Sequence, residues 1–266
     1  MSTYALPFIS VVLGYIIAIL IKPANKRNIK LLLAFSGAFL LTMTVSHLLP
    51  EVYAYVIENK HIAVDSNVTS EAHLHENHDQ HQTQQLTTDD HSHTHDHKAM
   101  KTIGLFIMLG IVFQIILEYF SKGAEHGHVH IHEKMPRLPW LLFGSLCLHA
   151  LFEGMPISQH QHIAWAIAVH HFPIAIILTL FFLHAQLSKR FIFLFMMVFA
   201  CMTPLGTYLS VSLSFLTNYY VAISAFVIGI LFHISSTIIF ESSEGHKFNL
   251  AKLLVILIGI LIGFLI

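Results

Sequence analysis

The sequence predicts an all-α membrane protein of eight transmembrane helices, and three observations carry that prediction. Of its 266 residues, 55% are hydrophobic and only 11% are charged, against about a quarter charged in soluble domains. The apolar residues are gathered into runs of about 20, the length a helix needs to cross a hydrocarbon core of about 30 Å. Lys and Arg fall on alternate connections between the runs, as expected when positive charge is retained on the cytoplasmic side. One domain, residues 1–266, in contact with a lipid bilayer follows. The formal net charge of −1 gives no electrostatic footprint for nucleic acid, so no such partner is expected.

The runs are 4–21, 31–56, 99–121, 138–158, 163–183, 191–212, 219–241 and 250–266. Each must be helical, because lipid offers no partner to backbone N–H and C=O groups. The first begins MSTYALPFIS, without the basic segment and small-residue cleavage pattern of a signal peptide, and reads as a retained span. The second is longer than a crossing requires, so its tail, HLLPEVYAYVIE, is expected to emerge from the membrane. Lys22, Lys26, Arg27 and Lys30 follow span 1, Lys122, Lys134 and Arg137 follow span 3, Lys189 and Arg190 follow span 5, and Lys247 and Lys252 follow span 7. The opposite connections hold only Lys60, Lys98 and Lys101. Both termini are therefore expected outside. Short loops and the lack of a targeting segment suggest a bacterial plasma (inner) membrane.

Two connections stand out by composition. Residues 57–98 carry nine histidines among Asp, Glu, Gln, Ser and Thr, with HLHENHDQH and HSHTHDH among them. Such a segment lacks the apolar residues to build a core, so an external, disordered, His-rich loop is expected. The connection 122–137, expected on the cytoplasmic side, contains EHGHVHIH. Clustered neutral imidazoles bind transition metals, so both tracts are candidates to capture or buffer ions, the alternative being solvated linkers with incidental metal affinity.

The candidate site lies inside the membrane. An ionisable residue at mid-bilayer costs roughly 2.5–3.5 kcal/mol on insertion scales, so it requires a partner or a function. Span 4 reads PWLLFGSLCLHALFEGMPIS, and its His149 and Glu153 stand at i and i+4 on one helical face. Span 5 reads AWAIAVHHFPIAIILTLFF and supplies His170 and His171. Counted at about 1.5 Å per residue from the external ends, Glu153 lies about 7 Å deep, His170 about 10 Å and His149 about 13 Å. Two imidazoles and a carboxylate at that depth suit Zn²⁺ and tolerate Fe²⁺, Mn²⁺ or Cd²⁺. Pro156 and Pro173 are expected to release the carbonyls of Phe152 and Val169 beside these ligands. The plainer reading is a hydrogen bond between His149 and Glu153.

Further polar residues suggest a path. His47 and Glu51, in VSHLLPEV near the external end of span 2, are candidates to receive an ion at the entrance, or belong to an ordinary interfacial turn. His233 within span 7 and Glu241 at its cytoplasmic end are candidates for an exit, with a satisfied core histidine as the alternative for His233. Cys147 and Cys201 each sit in an apolar run and read as small hydrophobes.

At these motifs the sequence resembles the ZIP (Zrt/Irt-like) family of divalent metal transporters. LHALFEG in span 4 is similar to the family's H-S-V-F-E-G signature, and HHFP in span 5 to its H-E-x-P pattern; TPLGTYLS in span 6 and SGAFLLTMTVSHLLPE in span 2 also resemble family segments. The resemblance implies transport of Zn²⁺ towards the cytoplasm by alternating access, with the ion as substrate and no organic cofactor. It also implies spans 1–3 and 6–8 related by inverted symmetry around spans 4 and 5, a 3+2+3 arrangement, and a homodimer. His149, Glu153 and His170 are then the principal ligands, with His171 completing the site or forming part of a second. The chain departs from the family pattern at Ala150, His171 and Ile174. No enzyme is expected, since neither H-E-x-x-H nor H-x-x-E-H occurs. The alternatives are a membrane-embedded metal-dependent hydrolase and a zinc-binding sensor.

Overall fold

A computed structural model describes residues 2–21, 26–57, 90–121, 140–159, 161–241 and 250–266. Every regular element among them is helical. The apolar runs become α1 (Ser2–Leu20), α2 (Lys26–Met43, prolonged helically to residue 57), α3 (Asp90–Ser121), α4 (Trp140–Gly154), α5 (Gln161–His184), α6 (Lys189–Ser212), α7 (Tyr220–Glu241) and α8 (Leu250–Leu265). Among the described residues, the stretches 28–57, 100–120, 162–184, 189–212 and 220–240 are long and apolar enough to cross a membrane. The apolar stretches of α1 and α8 are shorter, at Ala5–Leu20 and Leu250–Leu265.

Three local features differ from the sequence reading. The helix of span 3 starts at Asp90, so HSHTHDH belongs to α3 rather than to a loop. Once an apolar run has nucleated a helix, each further residue adds a hydrogen bond at little cost, and the helix propagates into the polar tract. Pro156 does end α4, which tightens into a 3₁₀ turn at Met155–Ser158, whereas α5 runs through Pro173 unbroken. Its neighbours surround α5 on most sides, and that packing holds the helix across the missing hydrogen bond. In α2 the turn Thr44–Leu48 is a π-helix. Pro50 follows, and a widened turn is one way for a helix to accommodate the proline ring. The rest of the His-rich loop, 58–89, and the tract 122–137 lie outside the described residues.

Packing sorts the helices into two groups of four. The closest pairs are α1 with α5, α4 with α6, α3 with α7, and α2 with α8. Links of α1 to α6 and of α2 to α7 then make one group of α1, α4, α5 and α6, and another of α2, α3, α7 and α8. The groups meet along α2–α5, a contact as extensive as α1–α6 or α2–α7, and more narrowly along α3–α4. Two apolar clusters follow this division in outline. One, with Phe182, Phe195 and Phe199, lies among α1, α4, α5 and α6. The other, with Phe39, Ile228 and Ile234, lies among α2, α5 and α7. Helix α5 thus serves both clusters, and 72% of its spanning window is buried, against 22% for α3, whose outer face is left to lipid.

Glycines set how close the pairs come. A Cβ on Gly110 would lie 1.9 Å from the Phe226 carbonyl oxygen, and one on Gly229 would lie 2.0 Å from that of Ile107, so α3 and α7 touch backbone to backbone. Gly154 and Gly206 do the same for α4 and α6, at 2.1 Å from Thr203 O and 1.9 Å from Leu151 O. In lipid the hydrophobic effect does not drive helices together, so close approach through small residues supplies the dispersion contact that holds them.

Candidate metal centre

The site is built where α4 and α5 face one another. On α4, His149 and Glu153 are one turn apart; on α5, His170 and His171 are adjacent; all four are buried. His149 Nε2 lies 3.2 Å from Glu153 Oε1, and His171 Nε2 lies 3.1 Å from Glu153 Oε2. The carboxylate is therefore held between two imidazoles from different helices. His170 completes the group: one ligand atom each from His149, Glu153 and His170 lie within 4.8 Å of one another. Its ring centroid is 6.3 Å from that of His149 and 5.7 Å from that of His171.

These separations can be compared with a coordination sphere. Zn–N and Zn–O bonds of about 2.1 Å in a tetrahedron place neighbouring ligand atoms about 3.4 Å apart. The 3.1 and 3.2 Å contacts are already near that edge. The wider trio reaches it with side-chain movement of at most about 1.5 Å. A buried carboxylate is strongly disfavoured without compensating charge or hydrogen bonds. The imidazoles of His149 and His171 lie within ion-pair distance of it, yet neither Glu153 oxygen has a hydrogen-bond partner among the described residues, and a divalent cation among these groups would supply the missing charge.

The position of Glu153 is fixed from behind. Gly154, next in sequence, lets α4 touch α6, and the Thr207 hydroxyl donates to Gly154 O at 2.7 Å and to Thr203 O at 3.1 Å. On the opposite side, Ser10 Oγ of α1 donates to Ala168 O, just before the histidine pair of α5. His171 also packs edge-on to Phe199 of α6, with centroids 5.4 Å apart. His171 thus turns to the same carboxylate that His149 contacts from the other oxygen.

The other candidates lie apart from this cluster. His47 sits in the π turn of α2, its Nε2 3.3 Å from Gly263 O of α8 and its ring 6.4 Å from that of His162 at the start of α5. Glu51, one turn further along, is half-buried. His233 Nε2 lies 2.7 Å from Glu118 Oε2 of α3, both partly buried, so its partner is on another helix. Glu241 ends α7, and its side chain lies outside the described residues.

Two polar residues escaped the sequence reading. Glu118 is one. The other is Gln114 of α3, fully buried, whose Oε1 is 3.3 Å from His149 Nδ1. Each is a polar side chain inside an apolar run, the signal that singled out His149, but neither has a motif around it.

The family model described as ZIP Zinc transporter matches residues 54–266. Zinc transporter ZIP1 of zebrafish (Danio rerio) is 32% identical over 90 residues, which cover 32% of this chain and 30% of that protein. The match to that relative thus spans less than a third of its length. The family match covers most of the chain and includes α3 to α8 with the whole His/Glu cluster, and on that evidence the chain belongs to the ZIP zinc transporter family.

Proposed function

We infer that the protein carries Zn²⁺, with Fe²⁺, Mn²⁺ and Cd²⁺ as further substrates, across the membrane towards the cytoplasm. The observation that carries this reading is the buried carboxylate of Glu153 between imidazoles of α4 and α5. His149, Glu153 and His170 hold the ion, and His171 completes the sphere as it loads. His47 and Glu51 form the entrance. His233 and Glu241 mark the exit, with Glu118 as the partner of His233. The family is one of transporters, which sets the hydrolase reading aside.

The arrangement is eight spans with both termini outside, in an inverted 3+2+3 fold. Packing supports it. Exchanging α1 with α6, α2 with α7, α3 with α8 and α4 with α5 turns the α1–α5 pair into α4–α6, and the α3–α7 pair into α2–α8. Those are the four closest pairs. Glycine contacts follow the same exchange: Gly14 serves the first pair, Gly154 and Gly206 the second, Gly110 and Gly229 the third, and Gly259 and Gly263 the fourth. The three principal ligands and His171 all lie on the α1, α4, α5, α6 group. Sliding of that group against the other would carry the ion from one side to the other. Residues 57–98 serve as an external accessory for capture, 122–137 as a cytoplasmic one, and the carrier works as a homodimer in a bacterial plasma membrane.

Uptake of ⁶⁵Zn²⁺ into proteoliposomes, wild type beside His149→Ala, tests the reading. Uptake that collapses in the variant is the expected result. Equal uptake in both would discard the site, and no uptake in either under an imposed gradient would discard the transport activity in favour of a zinc sensor.

A further inference from the structure

Helix α3 presents its outer face to lipid: Leu109, Val112, Ile115 and Ile116 are all about half exposed. Gln114 lies among them in sequence yet is 0% exposed, on the inward stripe that also holds Ile103, Gly110 and Leu117. An amide in that position loses its water and needs a protein partner. Among its partners is Nδ1 of His149, across the boundary between the two helix groups. The opposite nitrogen of the same ring faces Glu153 at 3.2 Å.

A neutral imidazole has one proton and two nitrogens, so the two contacts constrain each other. In this structure Gln114 Oε1 faces Nδ1, so Nδ1–H donates to it and Nε2 is bare; were Nε2–H to donate to the Glu153 carboxylate instead, Nδ1 would be left as an acceptor. With an ion on Nε2, the proton must sit on Nδ1, which then needs an acceptor. An amide, like a hydroxyl, serves both states: its Oε1 accepts from Nδ1–H, and after rotation by half a turn its NH₂ donates to bare Nδ1. The proton moves from one ring nitrogen to the other, and none is gained or lost overall. A carboxylate could only accept, which favours the loaded tautomer; an alkyl group could do neither.

We propose that Gln114 is a positioning residue for metal transport, partnering His149 Nδ1 in both the loaded and the empty tautomer so that the ion is bound firmly and still released. This rests on the reading of His149 as a ligand. Residues that orient a metal-ligating histidine through its second nitrogen typically change affinity by 10- to 100-fold when removed.

The test uses the full chain in lipid nanodiscs for Zn²⁺ binding, measured against a competing fluorescent chelator, and in proteoliposomes for ⁶⁵Zn²⁺ uptake. Gln114→Leu is expected to weaken binding about tenfold and to raise KM in step. Gln114→Met serves in its place if the Leu variant does not elute like wild type. Gln114→Glu, which keeps only the acceptor, is expected to bind at least as tightly as wild type while kcat falls several-fold, a split in KM and kcat that loss of packing would not produce. Adding Gln114→Leu to His149→Ala is expected to change residual binding no further.

Wild-type binding and KM in Gln114→Leu and Gln114→Met, with binding lost in His149→Ala, would overturn the role of Gln114 and leave the site standing. Full turnover in Gln114→Glu would overturn the two-tautomer argument. A loss from Gln114→Leu that persists undiminished in the His149→Ala background would make Gln114 a packing residue. Undiminished binding in His149→Ala would remove the ligand assignment on which the proposal depends.

Discussion

Helix α3 meets two neighbours in different ways. Against α7 it is in backbone contact, with Gly110 and Gly229 leaving no room for a single carbon. Against α4, in the other group, it meets side chain to side chain. Phe113 of α3, Phe152 of α4 and Phe226 of α7 pack edge-on or tilted, each ring 5.2–5.3 Å from the other two. Nearby, Ser145 Oγ donates to Leu117 O at 3.2 Å, and Gln114 meets His149. An interface locked by glycines cannot shift without separating two backbones, whereas rotamers can readjust along one lined by rings and hydroxyls. The contrast shows which contacts are suited to holding a group together and which leave room for side chains to readjust.

The comparison breaks most sharply at the glycines. Gly206→Val or Gly229→Val forces apart helices that now touch, and overpacking of this kind costs typically 1–3 kcal/mol or more per site. Little monodisperse protein and a collapsed thermal midpoint are expected. The controls are Gly104→Ala and Gly144→Ala, where a Cβ meets nothing within 4 Å. Both are expected to express and transport like wild type, and a loss at either as severe as at Gly206 would undo the argument from close approach.

Next in size are the proposed ligands. Glu153→Gln keeps the shape of the site and removes its charge, so metal binding is expected to fall to background while the protein still elutes as folded. Retained binding would move the centre elsewhere. A smaller effect is expected from Glu118→Gln, which weakens the contact with His233 but leaves the cluster on α4 and α5 intact. Uptake should slow several-fold with equilibrium binding at the central site unchanged; a change in that binding instead would tie Glu118 to the centre. The smallest effect is expected from deleting residues 65–89, which stops short of α3 and should raise KM at scarce metal and spare the maximal rate. Loss of the maximal rate would place the tract on the transport path.

How much of this could be read beforehand depended on the range of the interaction. His149 and Glu153 are legible because a helix places i and i+4 on one face whatever surrounds it. Their meeting with α5 was legible as well, since a short connection makes α4 and α5 antiparallel neighbours at matching depth. Gln114 and Glu118 were not. Their partners lie 35 and 115 residues away, and a polar residue in an apolar run does not say which helix it will face. The start of α3 at Asp90 was missed because composition reports where a helix must be and not how far it propagates.

The sequence by itself determined the solvent, the apolar runs and the helical state of each, because bilayer thickness and the demand for backbone hydrogen bonds act on each run separately. It also singled out the candidate set of two imidazoles and a carboxylate. Only the tertiary structure decided which helices touch, which glycines bring backbones together, that His171 turns to Glu153, and that Gln114 stands behind His149. The physical reason is that lipid-facing and protein-facing sides of these helices are apolar alike, so the pattern of hydrophobicity that reveals a buried face in water leaves neighbour choice to shape and to a few polar contacts.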